Sequence, residues 1–180
     1  EFRRVLFRSC DEGRNAYKYV NKDYRLLKGL KKIADQTVEV EPGALAKEVG
    51  ISLKQAGSTV ALVLTGQYTT EEYASILSVA KNDWRTSEIY HWQNNPENVE
   101  DFDGLLLRGD RNPNTKGLQK ALQEKGLSAK PSKDLQAAIK AKKVTHVVIA
   151  GPENKFVYPD YESFVQGLAV CENIIWLGSR

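Results

Sequence analysis

Short continuous apolar runs alternate along the chain with longer segments whose apolar residues recur every three or four positions. Residues 59–64, TVALVL, carry three β-branched side chains, Thr59, Val60 and Val63, and predict a strand buried on both faces, as in a parallel sheet. After Thr65-Gly66-Gln67, Thr69 stands three positions before Glu72 as a capping box. Tyr73, Ile76, Leu77, Ala80 and Trp84 then form one helical face. Residues 87–92 predict a second strand, 93–100 a polar connector containing Pro96, and 104–108 a third buried strand. A helix begins near Thr115, aligns Leu118, Ala121 and Leu122, and stops at Gly126. Pro131 and Ser132 open another, with Leu135, Ala138 and Ile139 on one side. Residues 144–150, VTHVVIA, predict a fourth strand ended by Gly151-Pro152. A helix from Pro159 turns Tyr161, Phe164, Val165, Leu168 and Ala169 inward, and residues 173–177 predict a fifth strand.

This alternation predicts an α/β fold: a mostly parallel, Rossmann-like sheet with helices on both faces and right-handed crossovers. Upstream, Pro42 and Gly43 precede a helix over 44–56 with Leu45, Val49 and Leu53 spaced by four, which Gly57 can close. Residues 26–40 read two ways, because LLKGLKK is weakly amphipathic whereas Thr37, Val38 and Val40 favour extended chain. Residues 10–25 are dense in charge and tyrosine and have no period. We therefore expect an irregular arm over 10–40 ahead of an α/β domain over 41–180. The loop of residues 110–117 follows a predicted strand and precedes a helix, where open α/β sheets receive ligands.

Composition narrows the function classes. With 180 residues and 41% hydrophobic content the chain suits one domain with a substantial core. Residues 1–9, EFRRVLFRS, resemble the in-frame translation of a widely used short-read sequencing adapter and are set aside as an artefact. That removes three arginines and one glutamate, taking the formal charge from +3 to +1. So small a charge gives no argument for nucleic acid or an anionic membrane. The lysines between positions 116 and 143 sit between apolar helix positions, as on a solvated helical face. No run of eighteen apolar residues and no export signal occurs. We expect neither nucleic-acid binding nor membrane insertion, and an α/β domain cut short at its C-terminal end.

Candidate chemistry is sparse. Cys10 stands beside Asp11, Glu12 and Arg14, and can be an exposed thiol, a nucleophile or one metal ligand. Its carboxylate neighbours would raise the thiol pKa, which disfavours the nucleophile. The other cysteine, Cys171, is placed on a predicted helix far away in sequence, and an iron-sulfur cluster normally needs four thiolates. His91 and His146 lie in or beside predicted strands without ligand-spaced partners, and read as packed or surface histidines. No G-x-S-x-G nucleophile elbow occurs. Asp101 and Asp103 read as caps and turns, and Trp84, Trp92 and Trp176 as core or subunit contacts. In the 110–117 loop, Asn112, Asn114 and Thr115 could hold a phosphate, but Asp110 opposes an anion. Turn and cap roles are favoured there.

The segment CDEGRNAYKYVNKDYR resembles the end of the four-cysteine motif in the large iron-sulfur subunit of bacterial NADH-quinone oxidoreductase, respiratory complex I, which continues C-D-x-G-R-x-x-Y-x-Y-V-N-x-x-x-R. Cys10, Asp11, Gly13, Arg14, Tyr17, Tyr19, Val20, Asn21 and Arg25 fit that pattern. TGQYTTEEY resembles the S-x-x-x-T-N-E-E-x-Y helix start of this family and of molybdopterin oxidoreductases, and GDRNPNTKG is similar to their G-x-N-P loop. The resemblance covers most of residues 10–117. It implies a molybdopterin-oxidoreductase-like domain without molybdenum, and Cys10 as the last ligand of a [4Fe-4S] cluster whose other three lie upstream. It also implies a role in electron transport, other subunits of the complex as partners, and a location peripheral to the cytoplasmic face of the bacterial inner membrane.

Two departures bear on the alternative, a catalytic molybdopterin oxidoreductase such as a formate dehydrogenase. Those enzymes usually carry Lys at the position of Glu12. They also place a Cys, Sec or Ser metal ligand soon after the T-N-E-E-x-Y helix, where SEIYHWQNN offers only Ser87. Both departures lead us to expect no molybdopterin. A free-standing nucleotide-binding α/β module is the third possibility.

Overall fold

The computed structural model describes residues 25–94, 109–110, 112–152, 158 and 160–178. Residues 26–40, ambiguous in sequence, contain an antiparallel hairpin rather than an irregular arm. Strands β1 (Gly29–Ile33) and β2 (Gln36–Val40) pair from Gly29 with Val40 to Ile33 with Gln36. The turn between them places Ala34 at a φ of 53°. Gly29 lies against Leu45 of the next helix, so closely that a Cβ there would stand 2.6 Å from Leu45 Cδ2.

That helix, α1 (Pro42–Ala56), starts on Glu41, whose carboxylate accepts from Ala44 N at 2.7 Å, with proline in the first turn. It ends at Gly57, at a φ of 59°. Leu53 is buried and Val49 packs on the core, as the four-residue spacing requires.

The remaining strands are β3 (Val60–Thr65), β4 (Ile89–Trp92), β5 (Lys130–Pro131), β6 (His146–Ala150) and β7 (Asn173–Leu177). They form one sheet in the order β5-β4-β3-β6-β7, with every adjacent pair parallel. The chain runs outward from β3 to β5, then returns across to β6 on the other side, which is the order of a doubly wound sheet. All six residues of β3 are buried. Their alternation sends Val60, Leu62 and Leu64 to one face and Ala61 and Val63 to the other.

The first face packs on α1, α2 (Thr70–Val79) and α3 (Thr115–Lys125) through Leu53, Tyr73, Leu77, Leu118 and Ala121. The second packs on α4 (Leu135–Lys140) and α5 (Tyr161–Gly167) through Leu135, Ile139 and Phe164. Each fully buried aliphatic side chain of this sandwich contributes about 1.5–3 kcal/mol. The α/β class, the parallel sheet and helices on both faces are therefore as expected. Among the described residues no helix is long and apolar enough to cross a membrane.

Several details differ from the sequence reading. Pro131, expected with Ser132 to open a helix, instead forms a two-residue strand with Lys130 beside Tyr90 and His91; it is tolerated there because the strand lies at the sheet edge. A 3-10 turn, Ser132–Asp134, then leads into α4. Val165, 38% exposed, and Ala169 face outward, because the inward stripe is Phe164 and Leu168 and each of the two stands one position past a stripe residue, on the flank. Cys171 lies between α5 and β7, not on a helix. Past α2 the backbone widens into a π-turn, Ala80–Trp84, closed by Arg85 at a φ of 56°, and this lets both Ala80 and Trp84 stay buried. The strand expected over 104–108 lies outside the described residues.

Candidate functional site

The strand order reverses between β3 and β6, so the crevice of this sheet opens past Thr65 and Ala150. The two strand ends are tied by Thr65 Oγ1, which donates to the Ala150 carbonyl at 2.9 Å. Beyond them the backbone is glycine on both sides. Gly151 takes a φ of 81°, and a Cβ there would stand 2.5 Å from Thr65 Oγ1. Tyr73, from α2, donates to the Thr65 carbonyl at 2.6 Å and accepts from Tyr68 N at 3.0 Å. Burial pushes its hydroxyl up to about 12, so it acts there as a neutral donor.

Over Gly66 lies the loop that enters α3. Asn114 N donates to the Gly66 carbonyl at 2.8 Å. The Asn114 side chain donates to the Tyr68 carbonyl at 2.9 Å and accepts from Gly117 N at 3.1 Å. One residue thus stitches the β3–α2 turn to the loop and caps α3. Asn112 fits still closer, since a Cβ on Gly66 would stand 2.5 Å from Asn112 Cβ and 3.2 Å from Thr115 Oγ1.

Asn112 is buried and its amide is saturated. Its Oδ1 accepts from Asn94 N at 3.2 Å and from the Tyr158 hydroxyl at 3.3 Å. Its Nδ2 donates to the Asn94 carbonyl at 3.3 Å and to Asp110 Oδ1 at 2.8 Å. Asp110 Oδ1 also accepts from Asn112 N at 3.0 Å and from Thr115 Oγ1 at 3.1 Å. Burial pushes the Asp110 carboxyl up, but these donors outweigh it and hold the group below its ordinary value. A carboxylate is therefore built into the spot where a dinucleotide fold would receive phosphate, and the Tyr68, Asn112, Asn114 and Gly117 amides are engaged internally.

His91, on β4, faces this cluster. Burial lowers its pKa, with the Asp110 charge working the other way. Among the described residues its Nε2 is the one buried side-chain polar atom without a hydrogen-bond partner. Behind it Trp92 is fully buried; its Nε1 donates to Asp160 Oδ1 at 2.9 Å, and its ring stacks on Phe164 with centroids 3.9 Å apart.

The structure thus brings together Asp110, Asn112, Asn114 and Thr115 in the turn and cap roles expected of them, and adds Asn94, Tyr158 and His91. The last three were not legible as site residues, since nothing in their local sequence marks them as neighbours of the loop. Cys10, the rest of the 10–24 motif, Asp101 and Asp103 lie outside the described residues. Ser87 directly precedes Glu88, at the amino-terminal end of β4, where its carbonyl accepts from Ile89 N at 3.0 Å.

Cys171 does not fit as a cluster ligand. Its thiol donates toward the carbonyls of Thr145 and Asn173, at 3.3 and 3.5 Å, and burial pushes it up, away from the thiolate. Among the described residues no group of three or more His, Cys, Asp or Glu could hold a metal ion. Comparison with family models, with curated proteins and with solved structures found no match to this chain.

Proposed function

We propose that the chain is an electron-transfer and scaffold segment of the large iron-sulfur subunit of a bacterial NADH-quinone oxidoreductase, with a Rossmann-like, molybdopterin-oxidoreductase-like domain. The observation that carries this reading is the motif CDEGRNAYKYVNKDYR, whose Cys10 would supply one thiolate to a [4Fe-4S] cluster completed by residues upstream. When bound, such a cluster supplies a one-electron relay. This chain's described residues would supply the packed frame beside it and surfaces for neighbouring subunits at the cytoplasmic face of the inner membrane.

The crevice geometry favours this reading over a molybdopterin oxidoreductase. Asn112 and Thr115 fill the space over Gly66, and Asp110 puts a carboxylate beside it, so a phosphate-bearing cofactor would have to displace a hydrogen-bonded loop. Glu12, in place of lysine, points the same way.

The test is electron paramagnetic resonance of the reduced full-length protein, with metal analysis. Loss of one [4Fe-4S] signal in Cys10→Ser, with no molybdenum in the wild type, is the expected result. Stoichiometric molybdenum and pterin would establish the alternative, a formate dehydrogenase or a relative.

A further inference from the structure

At the opposite, amino-terminal edge of the sheet four polar side chains form a chain whose polarity can be worked out. Thr59 Oγ1 donates to the Ala56 carbonyl at 3.0 Å, an atom that can only accept, so the single Thr59 proton is used. In the 2.8 Å contact between Thr59 Oγ1 and Thr145 Oγ1, Thr145 must then be the donor. The lone pair left on Thr145 faces His146 Nδ1 at 2.9 Å, so that nitrogen carries the imidazole proton. His146 Nε2 is consequently the bare, basic nitrogen, and the hydroxyl in front of it, 3.4 Å away, is that of Ser52.

Ser52 sits in the interior of α1, where a serine ordinarily donates to the carbonyl four residues back. Ser75 and Ser78 of α2 do this, at 2.9 and 2.7 Å. Ser52 is turned to the imidazole instead. It also lines a groove of about 520 Å³ between the β1–β2 hairpin, α1 and β7, whose apolar wall includes Leu45, Val49 and Ile175 and whose charged residues are Lys32, Glu172 and Lys31, the last paired with Glu48.

From this geometry we propose a second site, unrelated to the electron-transfer reading: Ser52 is a nucleophile activated by His146, acting on small activated carboxylic esters whose acyl group lies along the apolar wall. Nucleophile, base and orienting group follow in the order that acyl transfer requires, with Thr145 as the positioning residue where an acid stands in other such sites. A contact of 3.4 Å is within what such pairs show before substrate arrives. In the step itself Ser52 Oγ bonds to the ester carbonyl carbon and its proton passes to His146 Nε2. The carbon–oxygen bond to the alcohol breaks, the alcohol takes that proton, and the acyl group stays on Ser52. Water, deprotonated by the same nitrogen, then bonds to the acyl carbon; the bond from that carbon to Ser52 Oγ breaks, Ser52 Oγ takes the proton back from His146 Nε2, and the carboxylic acid leaves.

The test is incubation of the full chain with p-nitrophenyl acetate, following p-nitrophenolate and mapping the acetyl group by peptide mass spectrometry. Label on Ser52 is expected, with the rate falling about a hundredfold or more toward background in Ser52→Ala and in His146→Gln. Thr145→Val should lose most of the rate and Thr145→Ser should keep it, a rescue that a packing role would not produce. Circular dichroism melting confirms that each variant is folded. Label confined to Cys171 or to lysines, or an undiminished rate in folded Ser52→Ala, overturns the proposal.

Discussion

Gly66 and Asn112 touch so closely that no side-chain carbon fits between them: a Cβ built on Gly66 would be 2.5 Å from Asn112 Cβ. The two residues belong to different crossovers, one at the end of β3 and the other before α3. Their contact lies where the strand order reverses, the place an open α/β sheet usually leaves for a ligand. A loop held by an aspartate and two asparagines takes that place. Among the described residues, the mouth of the crevice is thus occupied by the protein's own side chains.

Gly66→Ala is expected to destabilise the protein by about 1–3 kcal/mol, because the clash is with a Cβ next to the backbone and not with a flexible tip. Asn112→Gly removes the opposing carbon but also the amide bridging Asn94, Asp110 and Tyr158. The double variant should therefore be less unstable than the two single losses added together. Urea unfolding of the four proteins measures the coupling, and strict additivity would show that the contact is not tight.

The capping box of α2 gives a second test. Thr69 Oγ1 accepts from Glu72 N at 3.3 Å, and Glu72 Oε2 accepts from Thr69 N at 2.8 Å. Thr69→Ala should cost about 1 kcal/mol, and Thr69→Asp, which keeps an acceptor at the cap, a few tenths. Equal melting temperatures for Thr69→Ala and wild type would remove the cap from the account.

That box was legible because all of its parts lie within four residues, and β3 because burial on both faces leaves an unbroken apolar run. The hairpin was not, since β1 and β2 expose most of their residues and so lack a clean alternation. Val165 misled for the opposite reason: it is apolar at helical spacing, yet it stands one position past Phe164, on the flank of the buried stripe. The candidate site was half legible. Asn114 and Asp110 sit in a loop whose turn chemistry is local, whereas Asn94, Tyr158 and His91 join them only through the pairing of distant strands.

The Trp92 indole supplies a third prediction. Its N–H is satisfied by Asp160 across the end of α5, on a ring otherwise enclosed by Tyr158, Tyr161, Phe164 and Trp176. Asp160→Ala leaves that donor unsatisfied and should cost about 1–3 kcal/mol, whereas Asp160→Asn keeps an oxygen in place and should cost far less. Thermal melts of the two variants distinguish the hydrogen bond from a general surface effect. Equal losses would assign the cost to charge.

Acid should loosen the crevice in two stages. Burial lowers the His91 pKa in the folded protein beneath the 6.5 of an ordinary histidine, so the unfolded chain binds the proton first. Stability is then lost as pH falls through about 6.5, by at most one proton's worth, ~1.4 kcal/mol per pH unit, until the folded pKa is reached. Asp110 is held below 3.8, so its contribution is complete above that value and is lost only as pH falls further, where Glu88, lowered chiefly by its hydrogen bond from Lys130, also titrates. Urea midpoints measured from pH 8 to pH 3 should therefore show His91→Gln flattening the upper limb and Asp110→Asn flattening part of the lower one. If His91→Gln leaves the slope between pH 6.5 and 5 unchanged, burial of the His91 imidazole is not what makes the fold acid-sensitive.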